Sequence, residues 1–213
     1  MMSDFPSELF FTILLASIFT AAQQTYTHMN DQAVFADFTR IGKRLFTEHL
    51  VGGNFGNMSA RTDDGYFITR TGSYLDADPA QIVLMPLNGR VTPGASSEWR
   101  VHTAIYNAAG THAAIVHAHP AHAVALSLLV EDEIFTIDSE GKMLAPTIAV
   151  VDGAPGTQEL ADAIAGALKS SNIVIARGHG TFAAGKDLDQ AYLFTSLAEH
   201  CCKVLHYTKL YQK

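Results

Sequence analysis

Basic residues are scarce and dispersed in this chain. Lys and Arg number 14 against 21 Asp and Glu, and the formal net charge is -7. Without a Lys/Arg cluster there is no electrostatic footprint for nucleic acid, and an anionic small molecule needs donors supplied locally. There are only two cysteines, and they are neighbours, Cys201 and Cys202. Adjacent positions on a helix point to different sides, so the pair is poorly placed for a mutual disulfide, and a reducing, cytoplasmic setting fits. The chain also has no apolar run of the roughly 20 residues that a membrane-spanning helix needs. Repeats and low-complexity linkers are missing as well. A length of 213 residues with 48% hydrophobic and 16% charged content suits a single globular domain.

The first 28 residues differ from the remainder. Leu9 to Ala22 is an apolar stretch of 14 residues, too short for stable membrane insertion. It resembles the core of a signal peptide, yet Met1 to Glu8 contains Asp4 and Glu8 and no basic residue, where a signal peptide starts positive. A further reading takes Met29 as the natural start. On either reading residues 1–28 stand outside the fold and residues 29–213 form the domain.

Histidine is in surplus, with ten. His28, His49, His112, His122, His200 and His206 have neither spacing nor neighbours that demand chemistry. His117 and His119 do, because they close the apolar run Ala113-Ala-Ile-Val-His-Ala-His-Pro120. In a strand, side chains two apart share a face, so the two imidazoles point the same way and can chelate one ion. Asn172 to Arg177 is a second buried strand, running into Gly178-His179-Gly180. Three imidazoles from two strand ends, with an acid nearby, suit a catalytic metal with an open position. Core histidines satisfied by backbone hydrogen bonds are the competing reading.

The remaining pattern mixes strands and helices without steady alternation, which indicates an α/β or α+β domain with a mixed sheet. Val34, Phe38, Ile41 and Leu45 mark one face of a helix that ends by Gly52-Gly53. Gly53 to Arg61 reads as a turn, and Tyr66 to Arg70 as a strand. Asn88-Gly89 predicts a hairpin between Gln81–Leu87 and Arg90–Thr92, with Pro86 marking an edge strand. Ser96-Ser97-Glu98 opens a helix on which Glu98 and His102, four apart, share a face. Helices follow at 121–129, after Pro155 and from Asp187, where Gln190 completes a capping box. Phe135–Asp138 and Thr147–Asp152 read as strands.

Five blocks taken together, Gly56-Asn57-Met-Ser-Ala-Arg61, Thr71-Gly72, Ser96-Ser97-Glu98, His117-Ala-His119-Pro120 and Gly178-His179-Gly180, resemble in order and spacing the motifs of the class II aldolase and adducin family. The branch most similar is that of the L-fuculose-phosphate aldolases. The resemblance runs from about Phe35 to Tyr207 and implies a three-layer fold, a central mixed and largely antiparallel sheet flanked by helices. It implies that His117, His119 and His179 ligate a zinc ion, or another divalent transition metal, with Glu98 as a further ligand and as the base. It places a sugar phosphate among Gly56, Asn57, Thr71, Gly72, Ser96 and Ser97, where hydroxyls, loop amides and a helix N-terminus bind a dianion without lysines. The implied reaction is reversible cleavage of a ketose 1-phosphate to dihydroxyacetone phosphate and an aldehyde, in a homotetramer with sites at subunit boundaries.

Two departures from the family pattern stand out. Gly178 occupies the place of a second histidine, and Thr136 to Glu140 stands where a tyrosine proton donor is expected; Tyr207 and Tyr211 are the tail tyrosines available. Epimerase, decarboxylase and dehydratase chemistry share the scaffold, and the adducin head shares the fold without the histidines. A Schiff-base aldolase would use Lys142, Lys169 or Lys186, none of which lies in an apolar strand that lowers its pKa. N-terminal sequencing of protein from the native host tests the late start: a first residue at Met29 is expected on that reading, and an intact Met1 refutes it.

Overall fold

The computed structural model describes residues 32–108 and 110–211, and the extension over residues 1–28 lies outside them. Helix α1 occupies residues 32–47. It is followed by β1 (Asn57–Arg61), β2 (Tyr66–Thr69), β3 (Ile82–Met85), α2 (Trp99–Ala108), β4 (Ala114–Ala118), α3 (Ala121–Ser127) and β5 (Glu133–Phe135). Helix α4 (Ser139–Leu144), β6 (Thr147–Val151), α5 (Gln158–Ala167), β7 (Ile173–Ala176), β8 (Gly180–Gly185) and α6 (Leu188–Tyr211) complete the chain. The strands form one sheet in the order β3-β2-β1-β4-β8-β7-β6-β5. Only β6 and β7 pair in parallel; the other neighbours are antiparallel.

The sheet is covered on both faces, which is why its central strands read as continuous apolar runs. Ile115, Val174 and Phe182 face α2 and α5 through Val101, Ile105, Leu160 and Ile164. The alternate residues face the other way: Val116 and Met58 meet Phe38, Ile41 and Leu45 of α1, while Ile173, Ile175 and Ala183 meet Phe194, Ala198 and Cys201 of α6. This is the expected three-layer arrangement, with each fully buried aliphatic or aromatic side chain contributing about 1.5–3 kcal/mol. Both cysteines are buried and free.

Local signals placed most elements. Pro86 follows the edge strand β3. Thr157 caps α5 by accepting from the Leu160 amide, and Asp187 accepts from the Gln190 amide at 2.8 Å to start α6. Three expectations need correction. Asn57–Arg61 is not a turn but strand β1, because Ser59 and Ala60 find partners both in β2 and in β4. Arg90–Thr92 is not a strand: the turn at Asn88-Gly89 forms, but Thr92 makes no backbone pair with β3, its hydroxyl donating to the Leu84 carbonyl at 2.6 Å and its amide to Met85 Sδ at 3.2 Å. Of the expected strand Phe135–Asp138 only Phe135 belongs to β5; Thr136, Ile137 and Asp138 leave it, since Asp138 accepts from the Gly141 amide at 3.0 Å and caps α4, a helix too short for periodicity to reveal.

Helix α1 docks through a glycine. A Cβ at Gly42 would lie 1.7 Å from the Leu75 carbonyl oxygen, so only glycine permits the approach of the helix to that backbone. Gly42→Ala is expected to destabilise the protein by about 2–3 kcal/mol through overpacking, read as a lower midpoint in urea unfolding with an unchanged slope.

Candidate metal centre and active site

The topology brings the histidine blocks to one end of the sheet. Strand β4 pairs antiparallel with β8, so the C-terminal end of one lies beside the start of the other, with His117 opposite Phe182 and Ala118 opposite Thr181. The turn from β7 into β8 carries His179 to the same end. The turn is pinned from outside. Arg177 donates to the carbonyls of Ser127 and Val130 at 2.7 and 2.6 Å and to that of Glu131, while the Gly178 amide donates to Ser127 Oγ at 2.9 Å. A Cβ at Gly180 would lie 2.3 Å from the Ala118 carbonyl and 3.1 Å from both His117 and His119, so glycine is required for this close approach.

The ligand atoms of His117, His119 and His179 all lie within 4.8 Å of one another. The Nε2 atoms of His117 and His119 are 3.0 Å apart, near the roughly 3.3 Å expected for two nitrogens on one tetrahedral ion. Thr181 contributes a carbonyl oxygen 2.9 Å from His117 Nδ1. A carbonyl only accepts, so Nδ1 carries the proton and Nε2 presents its lone pair, the outer hydrogen bond that fixes a ligating imidazole. Phe182 stacks on His117 at 4.0 Å between ring centroids, and Phe55 on His119 at 5.6 Å.

Electrostatics keep all three rings neutral. Burial, then the neighbouring imidazoles His119 and His179, push His117 well below the usual histidine value. Burial and then His179 push His119 down to about 4, and burial lowers His179 as well. Neutral imidazole is the form that binds a metal. His179 Nδ1 and Glu98 Oε2 are buried and have no hydrogen-bond partner among the described residues. Such orphaned atoms are rare unless a ligand or ion completes them, so the donor set fits a divalent cation.

Glu98 sits just before α2, 6% exposed, and stands outside the 4.8 Å set that the three histidines form. Its carboxyl is raised by burial, partly offset by the backbone N–H of Gly156. The three other motif segments gather at the same end of the sheet. The Thr71 amide donates to the Gly94 carbonyl at 3.0 Å and the Ser96 amide to the Thr69 carbonyl at 3.1 Å, while the Met58 amide donates to Thr69 Oγ1 at 3.1 Å. Gly56 and Asn57 are thereby brought next to Thr71, Gly72, Ser96 and Ser97. Asn57 and Ser96 are buried; Thr71, Gly72 and Ser97 are exposed.

Sequence reasoning missed several contributors. Phe55 and Phe182 carried no motif, and the carbonyl of Thr181 is invisible in any sequence. His102, on the same helix face as Glu98, is fully buried and bonds to Asn57 and Ser59. Tyr207 packs against His122 and His206, and Tyr211 is 87% exposed. Thr136 and Asp138, in the stretch that departs from the family pattern, bond to the Ala145 carbonyl and the Gly141 amide, and so build the α4 turn. A cleft of about 590 Å³ between α2 and α5, lined by Trp99, Arg100, Asn107, Gln158 and Lys169, holds none of the three histidines.

A sheet whose strand ends present three neutral imidazoles, with a buried carboxyl just before a helix, fits a metal-dependent carbon–carbon lyase of the class II aldolase type. Comparison with known proteins agrees: the model of the Class II Aldolase and Adducin N-terminal domain family matches residues 36–206, and the chain belongs to that family. It is 33% identical over 172 residues to the L-fuculose phosphate aldolase of Methanococcus maripaludis, covering 79% of this chain and 93% of that protein. The corresponding enzyme of Escherichia coli is 33% identical over 161 residues, covering 73% and 71%. The crystal structure of L-fuculose-1-phosphate aldolase from Thermus thermophilus superposes with a TM-score of 0.79 at 33% identity, covering 84% of this chain and 95% of that one.

Removing one imidazole tests the centre. His179→Ala is expected to weaken divalent metal binding by more than about 100-fold, beyond the usual loss for an outer-shell change. Competition with a chromogenic chelator reads this directly. The wild-type protein is expected to gain thermal stability with added metal, by about 2.7 kcal/mol at a hundredfold excess over Kd, and the variant to gain less than about 0.4 kcal/mol at the same metal concentration.

Proposed function

We propose that this protein is a zinc-dependent aldolase that reversibly cleaves a ketose 1-phosphate, of the L-fuculose 1-phosphate kind, into dihydroxyacetone phosphate and an aldehyde. The observation that carries the reading is the cluster of three imidazoles whose ligand atoms lie within 4.8 Å of one another, with an unpartnered carboxylate oxygen of the buried Glu98 outside that cluster as a second, separate feature. The activities named for the relatives support it. His117, His119 and His179 would hold zinc, with Glu98 as a further ligand in the resting state. When bound, the metal supplies Lewis-acid stabilisation of the negative charge that develops on the substrate oxygens.

The chain's own groups account for the remaining work. Thr181 holds His117 in one tautomer and Phe182 fixes its plane, so the imidazoles are set before substrate arrives. Glu98 moves the proton. Its burial raises its proton affinity above that of an ordinary carboxylate, which suits a group that takes and returns a proton. Gly56, Asn57, Thr71, Gly72, Ser96 and Ser97 receive the phosphate through loop amides, hydroxyls and the start of α2, which lets an acidic protein bind a dianion.

The reading includes one domain over residues 29–213, a homotetramer with sites at subunit boundaries, and a cytoplasmic location. Exposed Leu128, Leu129, Phe135 and Met143 support burial of the β5 side of the molecule against another copy. Two free thiols suit a reducing compartment. Among the described residues no helix is long and apolar enough to cross a membrane.

Cleavage of fuculose, rhamnulose and ribulose 1-phosphates, followed by a coupled dihydroxyacetone phosphate readout, tests the proposal. Excess chelator is expected to abolish turnover; full activity in chelator defeats the zinc assignment. Glu98→Gln is expected to retain substrate binding while turnover drops by roughly 10²- to 10⁴-fold, and wild-type turnover in that variant removes its role.

A further inference from the structure

Behind the motif residue Asn57 runs a buried chain of hydrogen bonds that none of the five blocks contains in full. Asn57 Oδ1 lies 2.6 Å from His102 Nε2. His102 Nδ1 lies 2.6 Å from Ser59 Oγ, and Ser59 Oγ lies 2.7 Å from the Tyr106 hydroxyl. Asn57, Ser59, His102 and Tyr106 are 5, 0, 0 and 1% exposed, so water does not compete for these bonds.

The chain has a direction that its chemistry fixes. An amide oxygen only accepts, so His102 Nε2 must carry a proton. Burial pushes His102 down to about 3, so the ring is neutral and holds only that proton. Its Nδ1 is therefore an acceptor and takes the Ser59 hydroxyl proton. With that proton committed, Ser59 Oγ accepts from the Tyr106 hydroxyl, which burial keeps protonated. Every donor from Tyr106 to Asn57 points the same way.

The consequence falls on the free end of Asn57. Its oxygen is engaged by His102, and its Nδ2 is not among the buried atoms left without a partner, so with no bond to another described residue the two donors are open to solvent or a ligand. Asn57 pairs with His117 across β1 and β4, and cross-strand partners project from the same face about 5 Å apart. The amide thus stands beside the histidine cluster. The opposite orientation would present Oδ1 to the site, and a carbonyl oxygen repels an anion.

We infer that His102 is a positioning residue: held between Ser59 and Asn57, it turns the Asn57 amide so that both N–H donors face the anionic group of the substrate. This rests on the phosphate-binding role given to Asn57 in the proposed function. The anion is then recognised by neutral donors set from behind by a neutral histidine. Ser59 and Tyr106 act one and two steps further back, and Arg61, lying over the Tyr106 ring and donating to its carbonyl at 3.1 Å, closes the outer end.

Nitrogen-15 NMR of histidine-labelled full-length protein, with His102 assigned by its loss in His102→Gln, is expected to show the Nε2–H tautomer at this position; an Nδ1–H tautomer means the amide is turned the other way and overturns the inference. In steady-state assays His102→Leu is expected to raise KM for the ketose phosphate roughly 10- to 100-fold, the range for a hydrogen bond to a charged group, while kcat changes less than about threefold. His102→Gln, whose amide N–H reaches about where Nε2 stands, is expected to return KM to within a few-fold of wild type, a rescue that a purely structural role does not give. Should His102→Leu fail to fold, Ser59→Ala replaces it with an expected rise in KM of a few-fold; unchanged KM in the folded variant overturns the inference. Inorganic phosphate separates the two layers of argument. Wild-type inhibition that weakens in the variant supports the inference, and undiminished inhibition overturns it alone. A wild-type enzyme indifferent both to inorganic phosphate and to phosphorylation of the ketose removes the phosphate reading itself.

Discussion

The hydrogen bond from His117 Nδ1–H to the Thr181 carbonyl, made across the β4–β8 pairing, is the contact on which the site depends. It commits one imidazole nitrogen to structure and leaves the other for an ion. The same register places Phe182 under the ring and brings the Gly178–Gly180 turn alongside, so His179 arrives within reach of His119. A slip of one residue in this register would send every β4 side chain to the opposite face and separate the ligands. Because β4 is buried on both faces, the hydrophobic layers and the histidine cluster are specified by the same pairing.

Neutral groups dominate the end of the sheet where the motifs meet. Burial keeps the three ligand histidines and His102 uncharged, and Glu98 is shifted toward its protonated form. Burying four imidazoles costs little as long as each ring nitrogen has a partner or a ligand. His179 Nδ1 and Glu98 Oε2 are two of the buried atoms to which the described residues supply no partner.

Much of this was legible in the chain. The period of two put His117 and His119 on one side of a strand, the Gly178 and Gly180 flanks marked His179, and cap residues marked α5 and α6. Strand β1 was misread because Gly53 to Asn57 carries turn chemistry up to its first residue, while its partners β2 and β4 lie at quite different distances along the sequence. Helix α4 was missed since six residues give too few turns for a pattern, and the side-chain cap of Asp138 became visible only with its Gly141 partner. The hairpin at Asn88-Gly89 kept its turn but lost its second strand, because Thr92 turns its hydroxyl to Leu84 and the chain proceeds to the Arg70–Ala95 bridge.

The sequence by itself determined which side chains the centre has to work with: three imidazoles at strand ends, an acid in front of a helix, and polar loops in a family-specific order. Those are properties of residue type and short-range spacing, which one-dimensional periodicity preserves. Only the tertiary structure decided how each group is held. His102 and Asn57 are 45 positions apart, and His117 and Thr181 are 64 apart, so the bonds that set their tautomers exist only after the sheet has closed. The tautomer of a buried histidine depends on which neighbour accepts its proton, and folding supplies that neighbour.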